Sequence, residues 1–136
     1  MIIGRAAKAI ENFDRASIKD TGLNLSDFSI MEALLHKGPL PINIIGEKVL
    51  LTSGSMTAAA NRLEDRGHVK RTQDPSNRRC YYLHLTKSGR RLIKSAYDKH
   101  SQRLERVAEA LSGEERSELV RLLKTICRHA QSINLK

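Results

Sequence analysis

Between Thr52 and Arg79 the chain gathers side chains able to grip a polyanion and to read base edges. Thr52, Ser53, Ser55 and Thr57 open a run with helical spacing, SGSMTAAANRLEDR, where short hydroxyl side chains and exposed amides suit phosphate oxygens. With Met56, Ala60 and Leu63 on the inward stripe, Ser55, Thr57, Ala58, Asn61, Arg62 and Asp65 turn outward. An outward Asn61 can form a two-bond pair with adenine, Arg62 can meet guanine or a phosphate, and the methyls of Ala58 and Thr57 can meet a thymine methyl. Arg66, Lys70, Arg71, Arg78 and Arg79 follow. From Arg62 to Lys94 ten Lys/Arg stand against Glu64, Asp65 and Asp74, a net of +7 within a chain of net +9. Basicity this local implies a polyanionic partner.

The elements that must position these residues follow from the apolar spacing. Ala7, Ile10, Phe13 and Ser17/Ile18 place an opening helix from about Ala6, ended by Thr21 and Gly22. A second helix is expected from Ser26 as cap, burying Phe28, Met31, Leu34 and Leu35 and stopping at Gly38-Pro39. A third runs from about Ile42 to Leu50 and buries Ile45 and Val49. Thr52 or Ser53 caps the fourth, and Gly67 ends it in the left-handed conformation of a C-cap. The period then changes to two. Tyr81, Leu83 and Leu85 share one face and Cys80, Tyr82 and His84 the other, with a turn at Asp74-Pro75-Ser76-Asn77, which predicts a two-stranded hairpin. This places Arg78 and Arg79 at the turn and Lys70 and Arg71 on the strand opposite. Four cations on one ribbon are tolerated most easily beside a phosphate backbone, and a tip arginine can enter a narrow minor groove. The bland alternatives are that the serines only cap a helix with a solvated basic face, and that the hairpin is a charged edge guarded against aggregation.

Thr86 caps a long helix in which Ile93, Tyr97, His100, Leu104, Val107 and Leu111 follow heptad steps. Ser112-Gly113-Glu114-Glu115 opens a last helix in which Leu119, Leu123, Ile126, Ala130 and Ile133 repeat them. These stripes exceed what the central segment can cover, so they are expected to close on a second copy of the chain, and two-fold symmetry presents two heads to a palindromic duplex. The expected class is mainly α with a small β-hairpin: one domain over 1–136, a winged helix-turn-helix over 25–86, and a helical dimerisation region from 1–22 and 87–136.

That segment also resembles a known family. Phe28 to Ile93, through GPLPINIIGEKVLLTSGSMTAAANRLEDRGHVKR, DPSNRR and LTKSG, is similar to the MarR family of bacterial transcription regulators. The resemblance implies a dimer held by the first and last two helices, with the fourth helix in the major groove. It carries base and phosphate contacts onto Ser53, Ser55, Thr57, Asn61 and Arg62, and the minor-groove arginine of the wing onto Arg79. Where this chain has Asn77 the family usually has an aspartate that orients the wing arginine, so either Arg79 is less fixed here or Asp74 takes that role. IGEKVLLTSGSMT is most similar to the branch whose members answer quinones and related aromatics. Family members commonly repress, and release DNA when a small phenolic or other ligand binds. Phe13, Tyr97 and His100 lie on inward stripes and can line a ligand pocket or simply belong to the core.

Other chemistry finds less footing. Cys80 follows the wing arginines, so its oxidation would disturb contact with DNA, and Cys127 lies on an apolar stripe; a thiol-sensing regulator is the first rival, a helical protein-interaction module the second. The cysteines are in no CxxC or Cys/His spacing, and the five histidines form no i, i+4 pair, so neither a disulfide framework, a metal nor another cofactor is implied. No GxSxG, GxxxxGK[ST] or HExxH occurs, which leaves no enzyme reading. No stretch approaches the ~18 apolar residues of a spanning helix, and MIIGRAAKAIENFD has no long apolar core, so a cytoplasmic protein without a membrane partner is expected.

Overall fold

The structure, a computed structural model, describes residues 1–135. The order is α1 (Ile2–Ile18), a 3₁₀ turn (Lys19–Thr21), α2 (Leu25–Lys37), β1 (Leu40–Pro41), α3 (Ile42–Lys48), α4 (Ser53–Asp65), β2 (Val69–Asp74), β3 (Asn77–Leu85), α5 (Lys87–Ala108) and α6 (Gly113–Ser132). The mainly helical class and the winged helix-turn-helix are as expected from the sequence. The chain falls into two compact units, residues 1–101 and 102–136. Packing therefore divides inside α5, away from the expected boundaries at 22 and 86. The reason lies in the core: Ile18 of α1 and Ile93 and Ala96 of α5 are buried together with Phe28, Met31, Leu63 and Leu83, so α1 and the first half of α5 are walls of the head.

Several ends differ from expectation. α1 starts at Ile2 and runs through Gly4, which is tolerated in its first turn. α2 is capped by Asn24 instead of Ser26: Asn24 Oδ1 accepts the Asp27 N–H at 2.8 Å, which places Asp27 in the first turn, at the positive end of the helix. α4 is capped by Thr52, whose hydroxyl accepts the Ser55 N–H at 3.2 Å, and ends before Gly67 at φ +77°. α3 and α4 cross closely because Gly46 has no side chain; a Cβ there would lie 3.3 Å from Met56 Cγ.

The hairpin has a third strand. β1 adds to the outer edge of β3, giving the antiparallel order β1-β3-β2 with Leu40 opposite Leu83. Two residues after a Gly-Pro stop show no period, which hid β1 from the pattern. Leu83 is buried, while Tyr81 on the same face is exposed because the ribbon has left the core. Register runs from Val69 opposite Leu85 to Gln73 opposite Tyr81, then slips to Asp74 opposite Asn77. Arg78, Arg79 and Cys80 occupy the bulge.

The two ends of the wing meet at α5. Thr86 Oγ1 caps α5 by accepting the Gly89 N–H at 3.0 Å and donates to Gly67 O at 2.7 Å. The Thr86 N–H donates to His68 O at 3.1 Å. Gly89 is required here, since a Cβ would stand 2.0 Å from His68 O. In the second unit, Ser112 and Glu115 form the expected capping box. Leu119, Leu123 and Ile126 of α6 each remain between 41% and 51% exposed.

Candidate nucleic-acid interface

α4 sorts its residues as its spacing predicts. Met56, Ala59, Ala60 and Leu63 are buried, and Ser53, Ser55, Thr57, Ala58 and Asn61 are exposed. Thr57 Oγ1 donates to Ser53 O at 2.9 Å, which settles the hydroxyl and leaves its methyl and the Ala58 methyl as the apolar points of this face. The first-turn amides of Ser53 and Gly54 lack intrahelical partners by helix geometry, and the helix dipole adds positive potential there.

Three cations expected to face a partner instead tie the head together. Arg62 turns back onto α2 and donates to Asp27 through Nη2 at 2.7 Å and Nε at 3.1 Å. Asp27 is 1% exposed and the Arg62 side chain 41%. A buried carboxylate needs a counter-charge, and the long arginine side chain reaches it from the solvent side. The pairing holds the guanidinium still more firmly protonated. Arg66 donates to Gly22 O through both terminal nitrogens, each at 3.3 Å. Arg71 lies between Glu64, at 3.3 Å, and Asn61 Oδ1, at 2.5 Å. Among the described residues, the side chains of Lys70, Arg78 and Arg79 make no hydrogen bond or ion pair. The four wing cations are also not crowded. Lys70 is opposite His84 and Arg71 opposite Leu83, so Arg79 stands about 13 Å further along the strand, at ~3.3 Å per residue.

Between α3, α4 and the wing tip runs an open groove of about 700 Å³, lined among others by Asn43, Glu47, Ser53, Thr57, Arg79 and Cys80. Asp74 does not take over the orienting of Arg79. Its Oδ1 accepts from the backbone N–H and hydroxyl of Ser76, which also hold its carboxyl below the usual range. Asn77 Oδ1 accepts the backbone N–H of Arg79 at 3.2 Å, fixing the main chain of the tip while the guanidinium extends outward. Cys80 is half-buried on the groove wall, and Cys127 is exposed on α6.

Phe13, Tyr97 and His100 do not line this groove. His100, 11% exposed, packs edge-on against Phe28 with ring centroids 5.2 Å apart; its Nδ1 is 2.9 Å from Ser17 Oγ and its Nε2 3.5 Å from Asp14. Burial raises the Asp14 carboxyl above the usual range. Tyr97 packs edge-on against His36 at 4.6 Å, and Phe13 is half-buried. Among the described residues, no group of His, Cys, Asp and Glu can hold a metal ion, and no helix is long and apolar enough to cross a membrane. Asp27, Glu64 and Gly89 escaped the sequence reading. Asp27 and Glu64 look like ordinary helix-surface acids until their arginines are placed, and Gly89 carries no local sign of the backbone beside it.

Comparison with known proteins agrees with this geometry. The profile of the MarR family matches residues 23–81. The HTH-type transcriptional regulator YkoM of Bacillus subtilis is 33% identical over 132 residues, covering 97% of this chain and 86% of its own. The HTH-type transcriptional regulator MhqR of the same organism is 30% identical over 136 residues, covering 100% and 94%. A MarR mutant from E. coli complexed with operator DNA shares the fold at a TM-score of 0.83 and 17% identity, covering 92% of this chain and 90% of that one. With the α4 face, the wing and these relatives in view, the chain belongs to the MarR family of winged-helix, DNA-binding transcriptional regulators.

Proposed function

We propose that the protein is a homodimeric repressor that binds a palindromic duplex, with α4 in successive major grooves and the wing in the flanking minor grooves. The observation that carries this reading is the groove that sets Ser53 and Thr57 of the bare, small-residue α4 face opposite the unpaired Arg79 of the wing. Thr52, Ser53 and Ser55 approach phosphates, Thr57, Ala58 and Asn61 read base edges, and Lys70, Arg78 and Arg79 supply the backbone and minor-groove contacts. Arg62, Arg66 and Arg71 act chiefly by holding α4 and β2 in place. The dimer is supported by the half-exposed leucines and Ile126 of α6, apolar surface that a lone chain would leave in water. Such a regulator acts in the cytoplasm, beside the chromosome.

A small aromatic effector is part of this proposal. A protein of similar fold, NadR, is solved in complex with 4-hydroxyphenylacetate at a TM-score of 0.79. The second reading, a thiol switch, draws support from Cys80 on the wall of the groove beside Arg79. Changing both Cys80 and Cys127 to Ser separates the two: oxidant-driven release from DNA is lost under the thiol reading, and effector-driven release survives under the other.

The direct test is Arg79→Ala on a panel of duplexes. Affinity should fall by a similar factor on all of them, and the slope of log K against log salt should flatten by about one. An unchanged slope and affinity would remove the wing from the interface. A folded dimer that retards no duplex even at low salt would instead point to a protein-interaction module.

A further inference from the structure

Asn61 is the exposed amide at the middle of α4, and Arg71 reaches it from β2, donating through Nη2 to Oδ1 at 2.5 Å. The same guanidinium is held by Glu64, with Nε 3.3 Å from its carboxylate. A guanidinium has only donors, so the edge that Asn61 turns to Arg71 must be its carbonyl, and oxygen and nitrogen in this amide cannot be exchanged. The charge-assisted bond to Glu64 keeps Arg71 from rotating away, and the Arg71 side chain is only 26% exposed. Among the described residues, Asn61 Nδ2 has no protein partner. The amide therefore keeps two free N–H donors, and its carbonyl has one of two lone pairs engaged and its direction fixed.

We propose that Arg71 is a positioning residue for base reading: it locks the Asn61 amide with its NH₂ toward the major groove. This rests on the assignment of α4 as the base reader. The two-bond pair of asparagine with adenine needs the carbonyl to accept from adenine N6 while Nδ2 donates to N7. With the carbonyl turned toward Arg71 and one of its two lone pairs taken, the NH₂ is the edge Asn61 presents, and guanine, which offers the acceptors N7 and O6 side by side, is the favoured purine. Adenine sets its own N6 donor against the Asn61 NH₂. A basic strand residue would otherwise be taken as a phosphate contact, which carries no sequence information. The Glu64–Arg71–Asn61 chain turns that residue into part of the reader.

To test this, the full chain is used to select duplexes from a randomised pool, and binding is then measured on single base-pair variants of the selected duplex. Asn61→Ala marks the base pair that Asn61 reads as the one whose discrimination it flattens. The wild type should favour guanine over adenine there by about five- to tenfold, the worth of one or two hydrogen bonds. Arg71→Ala should abolish or invert that preference at this pair alone, and Glu64→Gln should do the same more weakly. Glu64→Gln also carries the test if Arg71→Ala does not fold. A uniform loss of affinity with a flatter salt slope and an unchanged preference at this pair would make Arg71 a phosphate contact and overturn the proposal. If Asn61→Ala flattens no position, the assignment of α4 as reader fails first, and the role of Arg71 with it.

Discussion

Asp27 and Arg62 face each other across two hydrogen bonds, of 2.7 and 3.1 Å, that join the first turn of α2 to the last turn of α4. The two partners are unequal, since Asp27 is 1% exposed while the Arg62 side chain is 41% exposed. Removing the arginine strands a buried charge, whereas removing the carboxylate charge leaves an arginine that can turn to water. Arg62→Ala should therefore cost about 3 kcal/mol and Asp27→Asn roughly half as much. Urea unfolding of the two variants checks the order, and an equal or reversed cost would refute the asymmetry.

Gly89→Ala should be among the most damaging single-methyl additions in the chain. The new Cβ would stand 2.0 Å from His68 O, a backbone atom that also accepts the Thr86 N–H. Overpacking against backbone costs about 1–3 kcal/mol or more. Thermal melting should show a drop of several degrees, while Gly54→Ala, with nothing near its position, should leave the melting temperature close to that of the wild type.

Leu50 is 90% exposed and sits at φ +59° in the turn between α3 and α4. A branched residue in the left-handed region pays about 1 kcal/mol that asparagine largely avoids. Leu50→Asn should raise stability by about 0.5–1 kcal/mol, because no buried contact is lost in exchange. A variant no more stable than the wild type would show that the backbone strain is relieved in some other way.

Acidification should weaken the fold through His68. Burial, with Arg66 beside it, holds its imidazole below the usual histidine range, and neither ring nitrogen has a hydrogen-bond partner among the described residues. The folded state then binds this proton less readily than the unfolded chain. The stability is full above the unfolded pKa of about 6.5, is lost as pH falls from there toward the lowered folded value, and levels off below it. Asp14 acts in the opposite sense and at lower pH: its raised carboxyl favours the folded state once protonated, so its term grows as pH falls through that raised value. Denaturant midpoints at pH 7.5 and 5.5 should differ for the wild type and converge in His68→Asn. An equal pH slope in the variant would exclude His68 as the cause.

The winged helix-turn-helix was largely legible from sequence because its signals are local. The change of period at Gly67, the hydroxyl cluster from Thr52 to Thr57 and the basic run at Arg78-Arg79 each announce an element without reference to the rest of the chain. What escaped was where the long side chains end. A helical wheel places the Cα–Cβ direction of Arg62 correctly, yet the guanidinium lies several bonds away and is drawn to an acid 35 positions earlier. The intrachain partners of Arg66 and Arg71 were hidden for the same reason. The change of burial inside α5 was not legible either, because helical periodicity gives the buried Ile93 and Ala96 the same signature as the exposed Leu104 and Val107.

The junction of Gly67, His68 and Thr86 gives the wing a clamped root. The strand entering it and the strand leaving it are fastened at one point on the first turn of α5, so the ribbon behaves as a cantilever whose free end carries Arg79. Tilting that turn swings the tip through an arc enlarged by the length of the arm, roughly 20 Å for six residues of strand. Any tilt at the root is thus felt most at the tip, where the Arg79 guanidinium sits.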